Sequence, residues 1–188
     1  MVKTVADIVK EPVTLEEAKL HLRVMTGTYE DRTIYALIMA AREYCEQYTG
    51  LALGTKTLEL VLDAFPAGDS IYLSRPPLQS VESVKYTDKD GAETTMPTTD
   101  YIVDTDSTVG RIIRVNSWPS FAPCAVGAVK IRYTAGYTAL PQSIKQAMLL
   151  LIGHWYNNRE SSTDASKLNQ LDFSVRALLS QYRVRWWD

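Results

Sequence analysis

The sequence has little cysteine and histidine, and this scarcity argues against several classes of protein. Only two cysteines, Cys45 and Cys124, occur in 188 residues, and their spacing suggests neither a disulfide framework nor a metal site. Two histidines, His21 and His154, could act as a catalytic base, but neither stands beside a nucleophile motif. The sequence also lacks a Walker loop and the motifs G-x-G-x-x-G, G-x-S-x-G and H-E-x-x-H. We therefore predict no catalytic residues, cofactor or metal, and no enzyme activity.

Long apolar runs and an excess of one charge are also missing. The longest aliphatic run, Met148–Ile152, is too short to span a bilayer. Charged residues interrupt the amino terminus where a signal peptide would be apolar, so we expect no cleavable signal, no membrane and synthesis in the cytoplasm. The 20 Lys and Arg against 22 Asp and Glu leave a formal charge of −2. Such a balance gives no general attraction to nucleic acid.

Helical periodicity is present towards both ends of the chain. Thr14 and Glu17 form a capping-box pattern that predicts a helix start, with Leu15, Ala18, Leu22 and Met25 on one face. A second helix is predicted over 31–49, ended by Gly50. A third follows Pro141, with an apolar stripe of Ile144, Ala147, Met148, Leu151, Ile152 and Trp155. We expect Glu16, Glu17, Glu43 and Glu46 to lie on solvated helix faces.

The middle of the chain has the period-two alternation of β-strands. Alternation begins after Thr55, and a turn at Asp88–Gly91 predicts a hairpin. The further strand predictions are 71–73, 81–87, 92–96, 101–104, 111–115 and 129–134. The chain is therefore predicted to be α+β, with a helical core and an inserted antiparallel β domain. The predicted divisions are 1–54 for the amino-terminal part of the helical core, 55–136 for the β domain, 137–160 for the carboxyl-terminal core helix, and 161–188 for a linker and docking segment.

One acidic loop deserves comparison with a calcium site. Asp104 and Asp106 alternate in a segment that ends at Gly110. An EF-hand loop needs glycine at its sixth position and a bidentate glutamate at its twelfth, and these positions hold Val109 and Val115. A hairpin turn rich in Asp and Ser accounts better for the segment.

The carboxyl-terminal residues combine aromatic and cationic side chains beyond a polar stretch. Residues 161–166 are polar and predict a flexible linker. Chain ends are ordinarily hydrophilic, whereas Trp and Arg dominate the energetics of protein interfaces. We therefore predict a docking site formed by Tyr182, Arg183, Arg185, Trp186 and Trp187. The alternative, that the tryptophans fold back onto their own core, stays open.

Most of the chain resembles the phage head-to-tail connector, or adaptor, proteins that carry a β insertion between their helices. The resemblance is carried by EPVTLEEAKLHLRV at 11–24, AAREYCEQYTG at 40–50, LSRPPLQSVESVKYTDKDGAE at 73–93, GRIIRVNSWPS at 110–120, VKIRYTAGY at 129–137 and PQSIKQAMLLLIGHWYNNRE at 141–160. It implies a dodecameric ring beneath the portal protein at the virion neck, seating the next neck, stopper or tail protein. DNA would only pass through the channel. The resemblance also implies that the carboxyl-terminal segment reaches the portal.

Two other functions stay open at this point. The first is a virion-associated hydrolase whose β domain binds a polymer, which would need a carboxylate pair that sequence spacing does not reveal. The second is a module that binds double-stranded DNA in a channel, because basic residues alternate with apolar ones on the predicted strands. These residues are Lys85, Lys89, Arg111, Arg114, Lys130 and Arg132.

Overall fold

The chain forms two compact units, one of strands and one of helices. The computed structural model describes residues 1–24, 27–120, 126–158 and 173–184. The β unit comprises Met1–Val9 and Thr55–Tyr137, and the helical unit comprises Lys10–Gly54 and Thr138–Asp188. The helical unit is thus made from chain on both sides of the main run of strands. The predicted α+β class with an inserted antiparallel β domain is confirmed.

The helical unit begins with α1 (Leu15–Leu22) and α2 (Asp31–Thr49). The Thr14 hydroxyl accepts from the Glu17 amide at 3.1 Å, and the Glu17 carboxylate accepts from the Thr14 amide at 3.0 Å. This reciprocal capping box is the predicted one. Gly50 ends α2 at φ +79°, a left-handed conformation that favours glycine. The start of α1 and the end of α2 are thus determined by local residues. This is why the capping box and Gly50 predicted them from the sequence.

The third helix, α3 (Gln142–Asn157), supplies much of the apolar surface of the helical unit. Pro141 precedes its first turn, and five of the six residues of the predicted stripe are buried, while Trp155 is half-buried. Trp155 packs edge-on against Tyr44 of α2, with ring centroids 6.3 Å apart. Residues 173–179 are also helical, with Val175 and Leu179 buried. No helix in the described part of the chain is both long and apolar enough to cross a membrane.

The β unit contains two antiparallel sheets. Its strands are β1 (Val2–Ala6), β2 (Lys56–Leu62), β3 (Ser70–Tyr72), β4 (Leu78–Thr87), β5 (Glu93–Thr95), β6 (Tyr101–Asp104), β7 (Arg111–Arg114) and β8 (Val129–Ala135). One sheet has the order β1-β2-β8-β4-β5 and the other β3-β7-β6. Buried residues of both sheets and of their connections form one cluster that includes Leu58, Ile71, Leu73, Val84, Met96, Ile112, Ile131 and Tyr133. The predicted hairpin at Asp88–Gly91 joins β4 to β5.

The first nine residues correct the predicted division of the chain. We predicted that all of 1–54 belongs to the helical core, but β1 pairs with β2, with Lys3 opposite Glu59. The prediction was wrong for residues 1–9 because β1 is an edge strand whose burial shows no alternation. A strand with little buried surface leaves little periodic signal in its sequence.

Candidate docking site

The described part of the carboxyl-terminal segment starts on the helical unit of its own chain. After helical residues 173–179, the turn Ser180–Tyr182 leads into extended backbone at Arg183. The Val184 amide donates a hydrogen bond to the Thr49 carbonyl at 2.8 Å. Thr49 is the last residue of α2, whose final carbonyls have no partner within the helix. Val184 therefore caps α2 and fixes the point from which the chain continues.

The two described residues of the predicted docking site differ in exposure. Tyr182 is half-buried and Arg183 is exposed. The Arg183 guanidinium lies 5.8 Å from the centroid of the Tyr48 ring, a cation–π geometry with a residue of the same chain. Arg185, Trp186, Trp187 and the predicted linker 161–166 lie outside the described residues. The docking site stays a prediction.

The acidic loop after β6 is a hairpin turn, as predicted. The Asp104 carboxylate accepts hydrogen bonds from the backbone of Asp106 and Ser107, from the Ser107 hydroxyl and from Arg111. The bonds from Ser107, followed by the one from Arg111, lower the pKa of Asp104 to about 2. Among the described residues, no group of three or more His, Cys, Asp or Glu could hold a metal ion. The hydrogen bonds of the Asp104 carboxylate therefore stabilise this turn.

Cys45, His21 and His154 have the surroundings of packed or surface side chains. Burial raises the pKa of the Cys45 thiol to about 12, which leaves almost no thiolate at neutral pH. His21 is exposed, and its Nε2 atom lies 3.3 Å from where a Cβ on Gly153 would be. The backbone carbonyl of His154 accepts from the Asn158 side chain at 2.8 Å. Cys124 lies outside the described residues.

The basic strand residues do not form one positive surface. Lys85, Lys130 and Arg132 belong to the five-stranded sheet, whereas Arg111 and Arg114 belong to the three-stranded one. All five are paired with carboxylates, in the pairs Lys85–Glu93, Lys130–Glu93, Arg132–Glu59, Arg111–Asp104 and Arg114–Asp69. Lys89 lies in the β4–β5 turn. The positive charges that suggested a DNA-binding face are therefore largely neutralised by carboxylates of the same chain.

The sequence did not predict the buried ionic cluster that Glu46 forms with Arg42 and Glu11. We expected Glu46 to be solvated, but only 8% of it is exposed and it accepts from Arg42 at 3.3 Å and from the Leu53 amide at 2.9 Å. Arg42 also donates to Glu11 at 3.0 Å. The signal available in the sequence was the i, i+4 spacing of Arg42 and Glu46 on the buried side of α2. The cluster ties residues 11 and 53 to α2.

Two helix faces in the helical unit expose apolar side chains between charges. On α2, Tyr35 and Met39 are 49% and 37% exposed, and Ala36 and Ala40 lie beside them in exposed positions. On α1, Leu20 is 65% exposed. Neither face was predicted from the sequence, because the helices were predicted from the apolar stripes that they bury. A helical wheel of the remaining positions would have shown them.

Comparisons with known proteins agree in pointing to one kind of assembly. A family model described as "head completion protein" matches residues 12–183. A solved structure described as the neck of an empty GTA particle computed with C6 symmetry contains a chain that is 28% identical, with a TM-score of 0.83 over 98% of this chain and 96% of that one. A virion of a native gene transfer agent (GTA) gives 28% identity and a TM-score of 0.81 over the same shares of the two chains. The neck of a native GTA particle computed with C12 symmetry gives 27% and 0.79, again over 98% and 96%. No curated protein sequence matches the chain.

Proposed function

The chain belongs to the head completion protein family, and on that premise we propose that it is a structural subunit at the neck of a phage or phage-like particle. In this proposal it forms a ring beneath the portal and seats the next neck or tail component. The observation that carries the proposal is similarity along almost the whole chain, both units included, to a chain in the neck of a GTA particle. The shared architecture makes a shared place in the particle the best-supported function.

We further propose that the ring contains several copies of this chain. The support is that the neck structures with similar chains were computed with C6 and C12 symmetry. Twelve copies is the number that agrees with the C12 neck and with the connector resemblance. The role proposed is structural and needs no catalysis. No observation on the described residues favours the hydrolase alternative.

Deleting the coding sequence of this chain in particle-producing cells tests the neck role. We expect such cells to make filled heads that lack tails, visible by negative-stain electron microscopy. Expression of the chain from a plasmid should restore tailed particles. Normal tailed particles in its absence would contradict the proposal.

We also propose that the carboxyl-terminal segment docks on the portal through Tyr182, Arg183, Arg185, Trp186 and Trp187. The support is that Val184 is fixed at the end of α2, so the residues after it start from a defined position. Fixing the start of a segment lowers the entropy that its docking must overcome. Trp and Arg are also the residues that most often dominate interface affinity.

Truncation after Val184 separates docking from folding. Removing residues 185–188 leaves the Val184 hydrogen bond in place, so the melting temperature should be unchanged. The binding free energy for portal particles, measured by cosedimentation, should weaken by more than about 2 kcal/mol, the usual threshold of a hot spot. This corresponds to a Kd that is roughly 30-fold higher. A truncated chain that melts lower but binds the portal normally would show that Trp186 and Trp187 belong to the subunit's own core.

A further inference from the structure

The outward face of α2 carries an apolar patch with a charge of opposite sign at each end. Tyr35, Ala36, Met39 and Ala40 form the patch, Arg32 lies one turn before it and Glu43 one turn after it. The Glu43 side chain is 67% exposed, and its pair with Arg42 is long at 4.0 Å. Tyr, Met and Arg are enriched in interfaces, and alanines let another helix approach closely. We call this the α2 face.

The outward face of α1 has the reverse arrangement of charge. Glu16, Leu20 and Arg23 are exposed at positions i, i+4 and i+7, on the side opposite buried Ala18. Glu16 lies in the first turn and Arg23 is the C-cap residue. The order along the helix is therefore negative, apolar, positive, whereas along α2 it is positive, apolar, negative. We call this the α1 face.

A ring with cyclic symmetry requires such a pair of different faces. Each subunit in a ring contacts its two neighbours through two different surfaces that are complementary to each other. We propose, on the basis of the proposed neck ring, that the α1 face of one copy packs parallel to the α2 face of the next copy. Leu20 then covers Tyr35, Ala36 and Met39.

The charges and the lengths of the two faces agree with this packing. With both helices in the same direction, Glu16 lies near Arg32 of the next copy and Arg23 lies near its Glu43. At 1.5 Å per residue, the charges are about 10.5 Å apart on α1 and about 16.5 Å apart on α2. The difference of about 3 Å at each end is within the reach of the long Arg and Glu side chains. The packing buries apolar surface at its centre and leaves the charges at its rim, as in other interfaces.

The two edges of the five-stranded sheet are weaker candidates for the ring contact. β1 carries Lys3 and a register irregularity between Thr4 and Ala6, and β5 is only three residues long and begins with Glu93. Charges, irregularities and short length are the features by which proteins prevent strand pairing at sheet edges. The helix faces have no such protection.

Cysteine cross-linking within assembled particles tests the contact directly. Leu20→Cys and Met39→Cys are placed in one chain with Cys124→Ser, and purified particles are treated with a short bismaleimide. Cys45 stays in place because it is fully buried. We expect a ladder of dimers, trimers and larger species. A mixture of chains carrying one cysteine each should give dimers only, and either single variant alone should stay monomeric.

The controls separate this contact from the neck role. Tyr72→Cys with Ile102→Cys, two similarly exposed positions on the three-stranded sheet, should give no ladder. If mass spectrometry finds the chain in the particles but the Leu20 and Met39 variant gives no ladder, the contact is wrong and the neck role stands. If the unmodified chain is absent from the particles, the proposed function fails. A cross-link confined within one chain would also overturn the contact, and the mixture of single variants detects it.

Charge reversal provides an independent readout of the same pairing. Glu16→Arg alone and Arg32→Glu alone should each lower the ladder yield several-fold, because each places like charges together. The two changes combined in one chain should restore the yield. Each variant should stay folded, since both side chains are exposed, with only a small loss of melting temperature for Glu16→Arg because it places a cation in the first turn of α1. Absence of rescue in a folded double variant would exclude the proposed Glu16–Arg32 pair.

Discussion

At the scale of single residues, the buried cluster around Arg42 makes the strongest prediction about stability. Arg42→Met removes the cation that Glu11 and Glu46 share and leaves two carboxylates in a largely buried site. Breaking a buried ion pair from one side costs about 3–5 kcal/mol. Glu46→Gln should cost only about 1–2 kcal/mol, because an amide oxygen can still accept from the Leu53 amide. Urea unfolding measures both, and equal losses would contradict the role of Arg42.

Glu93 links stability to pH on the surface of the five-stranded sheet. Lys85 and Lys130 lie opposite each other on β4 and β8, and Glu93 accepts from both. The bonds from Lys130 and Lys85 lower the pKa of Glu93 from 4.5 to about 2. A lowered folded-state pKa stabilises the fold above the unfolded value, and this contribution is lost as pH falls from 4.5 towards 2.

Glu93→Gln should therefore be less stable than the unmodified chain at neutral pH, with the difference disappearing near pH 2. Thermal melting across this range for the two proteins gives the difference directly. Asp104, whose pKa is also low, titrates in both proteins and cancels in the comparison. A difference that persisted unchanged at pH 2 would show that Glu93 acts through packing and not through charge.

At the scale of elements, α3 is the helix whose apolar face should matter most. Leu151 is 4% exposed within the helical unit, and Leu151→Asp would place an unpaired charge there. We expect a loss on the order of 3–5 kcal/mol, enough to unfold the helical unit of a marginally stable chain. Gln146→Asp on the exposed side of α3 is the matched control and should cost less than about 1 kcal/mol. Similar melting of the two variants would contradict the packing of α3.

The elements also show which features a sequence can predict. The end of α2 at Thr49 and the strand Tyr101–Asp104 were predicted correctly, because a glycine stop and a short run of strand-favouring residues are local signals. β1 was missed since its pairing with β2 joins residues about 55 positions apart. The burial of Glu46 was missed for the same kind of reason, because Glu11 and Leu53 reach it from outside α2. For the docking site, the sequence predicted the Trp and Arg residues near the carboxyl terminus. The structure added the hydrogen bond from the Val184 amide to Thr49, which the sequence did not predict.

At the scale of the whole molecule, the three passages of the chain between units should differ in protease sensitivity. Residues 51–54 are buried, and the Leu53 amide is bonded to Glu46. Thr138 and Ala139 are exposed, as are Val9 and Lys10. A nonspecific protease should therefore cut near 9–10 and 138–139 but spare 51–54. Mass spectrometry of the early fragments identifies the cut sites, and early cleavage within 51–54 would contradict the prediction.

The interleaved order of the two units determines the order in which they can be completed during synthesis. The ribosome finishes the last strand, β8, at Ala135, before it has made any residue of α3. Residues 1–9 and 55–137 can therefore assemble while α1 and α2 still lack α3, the third helix of their unit. Domains generally fold as units during translation, in the order in which they emerge. We therefore expect the helical unit, although it contains earlier residues, to complete its fold second, after α3 has joined α1 and α2.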